Sequence, residues 1–221
     1  MNIDGIIFDS DGTLVDSETL SAEVIVDILS DFGATVPKDQ VLERFRGSRF
    51  AIFAALLLAD FPVMDVGLFT HEFRTRSVDV FAGRLKPMSG AVELVSDLAI
   101  EKCVASNGPR EKIELCLGVT GLLPYFEGRI ASAYETGSWK PDPALILHAA
   151  SMINVPVHRC LLVEDSLAGV EAGLAAGVEV AGYRLSDEIQ GALSRPVPVI
   201  KELHEVLQIA GLAPPQASSL A

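Results

Sequence analysis

The stretch IDGIIFDSDGT, residues 3–13, joins a run of apolar residues directly to two carboxylates. Positions 3–8 are typical of a buried β-strand, and Asp9 and Asp11 follow where that strand should end. Side chains at positions i and i+2 of an extended chain lie on the same side. We therefore expect both carboxylates to point toward one site at the end of the first strand.

Four further apolar runs along the chain have the length and composition of β-strands, and segments with helical periodicity lie around them. The predicted strands fall at residues 103–105, 129–132, 160–163 and 178–183, and the predicted helices at 89–99, 109–117, 143–152 and 167–176. Strands that alternate with helices predict an α/β fold with a doubly wound parallel sheet, a Rossmann-like core. Such sheets bind their ligands at the carboxyl ends of the strands.

The interval between the first two strands is too long for one crossover helix. About ninety residues separate Asp11 from Lys102, and they show helical periodicity throughout. One helix within the interval has clear boundary signals, since Asp16 can act as its N-cap and Gly33 can end it. The interval therefore predicts a helical insertion.

We expect this insertion to form an α-helical cap domain at residues 15–84. It would interrupt an α/β core domain made of residues 1–14 and 85–213. Residues 214–221, rich in Ala and Ser, are expected to form a flexible tail.

Composition and charge exclude several classes of function. The formal net charge is −13 at pH 7 and no Lys/Arg run is present, which argues against nucleic acid and anionic membranes as partners. The longest apolar run, residues 50–59, is shorter than the ~20 residues of a membrane span, and we expect it to be a buried helix. Three widely spaced cysteines and an acidic start without a signal-peptide pattern favour a cytoplasmic protein. The oligomeric state is not readable from the sequence.

Residues capable of chemistry follow the ends of predicted strands at four places. These are DSDGT at 9–13, SNG at 106–108, Lys140 in WKPDP, and the acidic pair Glu164 and Asp165. Each stretch alone has an ordinary structural interpretation, such as a turn, a helix cap or a solvated lysine. Their order along the chain and their common position at strand ends make the combination far more specific.

In this order the four stretches resemble those of the haloacid dehalogenase-like hydrolase superfamily. The resemblance covers nearly the whole chain and is greatest to the helical-capped group of sugar-phosphate phosphatases and β-phosphoglucomutases. It implies that Asp9 is a nucleophile that forms an aspartyl-phosphate and that Asp11 is a general acid and base. It also implies that Ser106 and the N–H group of Asn107 bind the phosphate oxygens.

The charge of the expected site requires cations. A phosphoryl group brings roughly −1.5 to −2 charges to a site that already contains carboxylates, so a divalent cation is needed, and Mg²⁺ is the usual ion beside phosphate. The resemblance implies metal binding by Asp9, Asp165 and the backbone carbonyl of Asp11, with Glu164 in a supporting role. Lys140 would supply the remaining fixed positive charge as a catalytic residue.

The cap is expected to select the substrate. In RFRGSR, Arg46 and Arg49 flank Gly47 between two predicted helices, and cap loops of the resembling family reach into the site. We therefore predict that these three residues bind substrate, although basic residues at a helix end can also be merely solvated. For Arg74 and Arg76, the pattern favours a solvated helix face.

Differences between this sequence and the motifs of three related enzyme groups indicate which reaction to expect. Haloacid dehalogenases lack the second Asp and the metal, so Asp11 and Asp165 argue against that reaction. Phosphonatases use a cap lysine, and Lys38 beside a proline is a poor match. β-Phosphoglucomutases carry a His early in the first cap helix, where residues 19–21 here are Thr-Leu-Ser. The sequence thus predicts a Mg²⁺-dependent phosphatase for a small phosphorylated metabolite, a sugar or sugar-acid phosphate, ahead of a phosphomutase or a non-catalytic binding protein.

Overall fold

The computed structural model describes residues 2–45 and 48–212, and its centre is a six-stranded sheet in which all paired strands are parallel. The strands are β1 (Gly5–Phe8), β2 (Glu101–Ser106), β3 (Ile130–Ser132), β4 (Cys160–Glu164), β5 (Glu179–Tyr183) and β6 (Val199–Ile200). Their spatial order is β3-β2-β1-β4-β5-β6, the doubly wound order in which the direction of winding reverses beside β1. The predicted fold class is confirmed.

Helices fill the intervals between the strands. They are α1 (Ser17–Asp31), α2 (Lys38–Phe45), α3 (Phe50–Asp60), α4 (Val66–Arg84), α5 (Ala91–Asp97), α6 (Arg110–Val119), α7 (Ala133–Thr136), α8 (Ala144–Met152), α9 (Leu167–Ala176), α10 (Asp187–Ala192) and α11 (Val206–Ala210). The strand β6 was not predicted, because it has two residues and follows Pro196 and Pro198, which favour irregular structure.

Both faces of the sheet are covered, which explains the continuous apolar runs of the strands. Along β1, Ile6 and Phe8 belong to one hydrophobic cluster and Ile7 belongs to the cluster on the opposite face. A methyl group on Gly173 of α9 would lie 2.6 Å from the Leu162 side chain of β4. This glycine therefore allows the helix to pack closely against the sheet.

Helices α1 to α4 all lie between β1 and β2 in the chain and enclose a third hydrophobic cluster of their own. The two segments that join them to the sheet run side by side, with hydrogen bonds from Asp16 N to the Lys86 carbonyl at 3.1 Å and from Met88 N to the Leu14 carbonyl at 2.8 Å. Both features support our proposal of a core domain at residues 1–14 and 85–213 and a cap domain at 15–84. The predicted tail, 214–221, lies outside the described residues.

Two local predictions for the cap are wrong in part. The apolar segment 50–59 does form α3, but only one side of it is buried. Ile52 and Leu56 are 55% and 63% exposed, because the other side of α3 packs on the cap cluster. Asp16 does precede α1, yet its side chain accepts no hydrogen bond from the helix. Among the described residues, no helix has the length and apolarity to cross a membrane.

Candidate active site

Polar side chains converge where β1, β2 and β4 end. Asp9 follows the last residue of β1, Ser106 ends β2, Glu164 ends β4 and Asp165 comes directly after it. Because these strands are parallel neighbours at the centre of the sheet, their carboxyl ends meet at one edge. All four residues line a cavity of about 300 Å³, which Lys140 lines as well.

Lys140 is the buried cation of this cavity. Its Nζ donates hydrogen bonds to Oδ1 of Asp9 and to Oε2 of Glu164, each at 2.6 Å. Burial lowers the pKa of Lys140, but attraction to the two carboxylates outweighs burial and raises it above the usual value. The ammonium group therefore stays charged and holds two acidic side chains that would otherwise repel one another.

Three acidic residues form a group that fits a divalent cation. Asp9, Glu164 and Asp165 each offer a carboxylate oxygen, and these atoms lie within 4.8 Å of one another. Burial, followed by repulsion from Glu164, raises the pKa of Asp9 to about 8. Burial and the same neighbour also raise the pKa of Asp165 well above its ordinary value. The single positive charge of Lys140 therefore does not balance the three carboxylates. Carboxylate oxygens are the ligands that Mg²⁺ and similar hard cations prefer.

The two carboxylate oxygens of Glu164 already have partners. Oε2 accepts from Lys140, and Oε1 accepts from the backbone N–H groups of Asp165 and Ser166 and, at 2.8 Å, from the Ser166 hydroxyl. A methyl group on Gly169 would lie 1.9 Å from the Glu164 carboxyl carbon, so this glycine makes room for the side chain. Glu164 is consequently fixed in place at the start of α9.

Asp165 is positioned by the turn that follows β1. The Thr13 hydroxyl donates to Oδ1 of Asp165 at 3.1 Å. Gly12 has a φ of +82°, which favours glycine, and a methyl group there would lie 2.1 Å from Oδ2 of Asp165. Gly12 leaves space for the Asp165 side chain and Thr13 holds it by a hydrogen bond, which gives the last two residues of DSDGT a structural role.

Ser106 and Asn107 form the turn that leads from β2 into α6. The Ser106 hydroxyl accepts a hydrogen bond from the Gly108 N–H at 3.1 Å. The Asn107 side chain accepts from the backbone N–H of Lys140 at 2.9 Å. Asn107 thus holds the segment that carries the buried lysine, a contact that the sequence did not indicate.

Asp11 has a partner that sequence reasoning missed. Its Oδ1 forms an ion pair with Nζ of Lys112 on α6 and accepts a hydrogen bond from the Ser17 hydroxyl. Burial alone would raise the pKa of Asp11, but Lys112 and Ser17 outweigh it and lower that pKa below its ordinary value. The sequence contained an indication of this contact, because Lys112 lies in the first turn of the helix that directly follows the SNG stretch at the edge of the sheet.

The comparisons with known proteins agree with this geometry. Residues 3–177 match the family model of haloacid dehalogenase-like hydrolases. This chain belongs to that family. It is 37% identical over 179 residues to a 6-phosphogluconate phosphatase of Escherichia coli (strain K12), covering 80% of this chain and 81% of the relative.

Solved structures support the same assignment for this haloacid dehalogenase-like hydrolase. A family hydrolase from Deinococcus radiodurans R1, solved with bound phosphate and sodium, has a TM-score of 0.77 and 28% identity and covers 97% of this chain and 99% of its own. A putative β-phosphoglucomutase from Thermotoga maritima has a TM-score of 0.75 and 25% identity, with coverage of 96% and 99%. The family resemblance predicted from the four stretches is confirmed.

The cap arginines of the hydrolase differ in their positions. Arg46 and Gly47 lie outside the described residues. The guanidinium carbon of Arg49 lies 3.9 Å from the ring centroid of Trp139, the residue before Lys140, and Arg49 does not line the cavity. Arg74, for which the sequence favoured a solvated face, is exposed but does line the cavity.

Proposed function

We propose that this hydrolase is a Mg²⁺-dependent phosphatase that acts on a small phosphorylated metabolite, a sugar or sugar-acid phosphate. The observation that carries the proposal is the joint placement of Asp9, Glu164 and Asp165 around a cavity that also contains Lys140. The relative named above as a 6-phosphogluconate phosphatase and a Thermotoga maritima relative named phosphorylated carbohydrates phosphatase, 27% identical over 218 residues, support the substrate class. The net charge of −13 disfavours nucleic acid as the substrate.

The phosphoryl group would bind between the sheet edge and the cap. Ser106 and the backbone N–H of Asn107 would donate hydrogen bonds to its oxygens, and Lys140 would supply charge. Asp9, Asp165 and the backbone carbonyl of Asp11 would hold Mg²⁺, with Glu164 supporting them through its own hydrogen bonds. When bound, the ion offsets the negative charge of the carboxylates and of the phosphoryl oxygens.

Asp9 would act as the nucleophile. One of its carboxylate oxygens would form a bond to phosphorus while the bond from phosphorus to the substrate oxygen breaks, which gives an aspartyl-phosphate. Lys140 holds Asp9 in place for this attack through the 2.6 Å hydrogen bond. Water would then break the aspartyl-phosphate and regenerate the free carboxylate.

Asp11 would move the protons of both steps. It would give a proton to the departing substrate oxygen and later accept one from the attacking water. Lys112 and Ser17 hold its carboxylate ionised in the free protein, the form that the second step needs. The negative charge of a bound phosphate would raise the pKa of Asp11 and favour the protonated form that the first step needs.

Two other functions stay open to test. A phosphomutase is the second candidate, favoured by the likeness to the putative β-phosphoglucomutase structure but not by residues 19–21, which contain no His. A non-catalytic binding protein would not be expected to keep the nucleophile, the proton donor, the lysine and the metal-binding acids together. We further propose a cytoplasmic location, because the three cysteines are all unpaired.

The decisive experiment measures inorganic phosphate release from a panel of sugar, sugar-acid and nucleoside phosphates, with Mg²⁺ and with a chelator. Release that the chelator abolishes is the expected result. Asp9→Asn should abolish release, and Asp11→Asn should reduce it severely, while both variants keep the circular dichroism of the parent protein. An active Asp9→Asn enzyme would exclude the aspartyl-phosphate route, and absence of release from every compound would favour the mutase or the binding protein.

A further inference from the structure

Two arginines on the same cap helix face different surroundings. Arg74 and Arg76 are two residues apart on α4, and two residues correspond to rather more than half a helical turn. Arg74 lines the cavity that contains Asp9 and Lys140, whereas Arg76 does not. The helix therefore turns one of its arginines toward the candidate active site and the other away from it.

Their partners differ in the same way. Arg76 forms ion pairs with Asp31 at 2.5 Å and with Glu72 at 2.9 Å. Within the described ranges 2–45 and 48–212, Arg74 forms no ion pair, and its polar contact is the Tyr134 hydroxyl at 3.5 Å. The chain has 30 acidic and 17 basic residues, so most of its cations could be paired with carboxylates. Arg74 has no such ion pair among the described residues, and it can therefore bind an anion that enters the cavity.

The surroundings of Arg74 would strengthen such an interaction. Five of the nine cap residues that line the cavity are apolar, namely Phe45, Phe50, Phe73, Val78 and Phe81; the others are Glu18, Ser48, Ser77 and Arg74 itself. Attraction between unlike charges grows as water is replaced by apolar surface. A guanidinium group also matches the two oxygens of a carboxylate in a bidentate arrangement.

We propose that Arg74, with the Tyr134 hydroxyl, binds a carboxylate at the end of the substrate that is remote from the phosphoryl group. The phosphoryl group would lie at the sheet edge, and the carboxylate would lie on the cap side of the same cavity. This inference rests on the proposed phosphatase function and deepens it, because it makes sugar-acid phosphates better substrates than the corresponding neutral sugar phosphates.

A matched pair of substrates tests the proposal directly. 6-Phosphogluconate and glucitol 6-phosphate share their carbon chain and phosphate, and they differ in whether C1 is a carboxylate or a hydroxymethyl group. In Arg74→Gln we expect kcat/KM for 6-phosphogluconate to fall by about tenfold to hundredfold, mainly through KM, as when one charged hydrogen bond is lost. The value for glucitol 6-phosphate should change less than about twofold.

Arg76→Gln is the matched control, since it removes the same charge from the same helix outside the cavity. It should leave the ratio of the two kcat/KM values unchanged, and Arg74→Lys should restore part of the preference. Equal losses for both substrates in Arg74→Gln, no loss for either, or a parent enzyme without preference for the carboxylate would overturn the proposal.

Binding measurements separate this inference from the proposed function. Calorimetry with Asp9→Asn, in the presence or absence of the Arg74→Gln change, reports affinity for both compounds without turnover. If the parent enzyme releases no phosphate but Asp9→Asn binds 6-phosphogluconate in an Arg74-dependent manner, the phosphatase assignment fails and the carboxylate site stands. If phosphate is released and binding is independent of Arg74, the carboxylate site alone fails.

Discussion

Among the residues that the structure describes, Lys140 is the cation that contacts both Asp9 and Glu164, and its replacement by Met removes both contacts. The Nζ atom lies 2.6 Å from an oxygen of each, and the three side chains are at most 10% exposed. At an effective dielectric constant near 20, each contact is worth about 6 kcal/mol of gross attraction. Burial of the ammonium group costs several kcal/mol, so we expect a net loss in the free energy of unfolding of about 3–5 kcal/mol at pH 8.

The loss in the free energy of unfolding caused by Lys140→Met should be larger at higher pH. The pKa of Asp9 in the folded protein, about 8, lies above its ordinary value of 3.8, so between these values the folded state holds a proton that the unfolded state releases. This group therefore favours folding at low pH and opposes it as pH rises toward 8. Without Lys140 the pKa of Asp9 rises further, so the extra destabilisation of Lys140→Met grows as pH approaches 8. We expect it to be smaller near pH 5.5, where Asp9 of the parent protein is protonated, than near pH 8, where Asp9 is about half ionised.

Urea unfolding with chelator present, followed by the fluorescence of Trp139, measures these differences, because Trp139 is the single tryptophan of the chain and adjoins Lys140. Lys38→Met is the matched control. Lys38 lies 3.4 Å from Glu23 on the surface, with the two side chains 44% and 30% exposed, and should contribute less than about 1 kcal/mol. If Lys140→Met costs no more than Lys38→Met at pH 8, or costs the same at both pH values, the electrostatic account of the site is refuted.

Two further changes test the neighbouring parts of the site. Lys112→Met removes the main group that lowers the pKa of Asp11, so that pKa should rise. Because the first step needs Asp11 protonated, the alkaline limb of the kcat/KM profile should move to higher pH, and an unshifted limb would exclude Asp11 as the acid. Gly12→Ala should weaken Mg²⁺ binding by about tenfold or more, measured by calorimetry, because the added methyl group would displace Asp165. Gly83→Ala is its control, since a methyl group there has open space and should stabilise α4 by up to about 1 kcal/mol without any change in Mg²⁺ affinity.

The sequence alone was sufficient to predict most of the sheet and the polar residues at its edge. Apolar runs marked five of the six strands, and Asp9, Ser106, Glu164 and Asp165 each stand at or directly after the last residue of a strand. In a parallel sheet all strands end at the same edge, so position along the chain translates into proximity in space. The acidic group and the fold class could be predicted for this reason.

Only the tertiary structure decided the contacts of residues on helices and in loops. Lys112 contacts Asp11, and Asn107 accepts a hydrogen bond from the backbone of Lys140. The Arg49 guanidinium lies over the Trp139 ring, and Arg74 rather than Arg76 lines the cavity. These contacts depend on how each helix is rotated and where the cap rests on the core. Rotation and placement follow from the packing of whole hydrophobic surfaces, which no short stretch of sequence encodes.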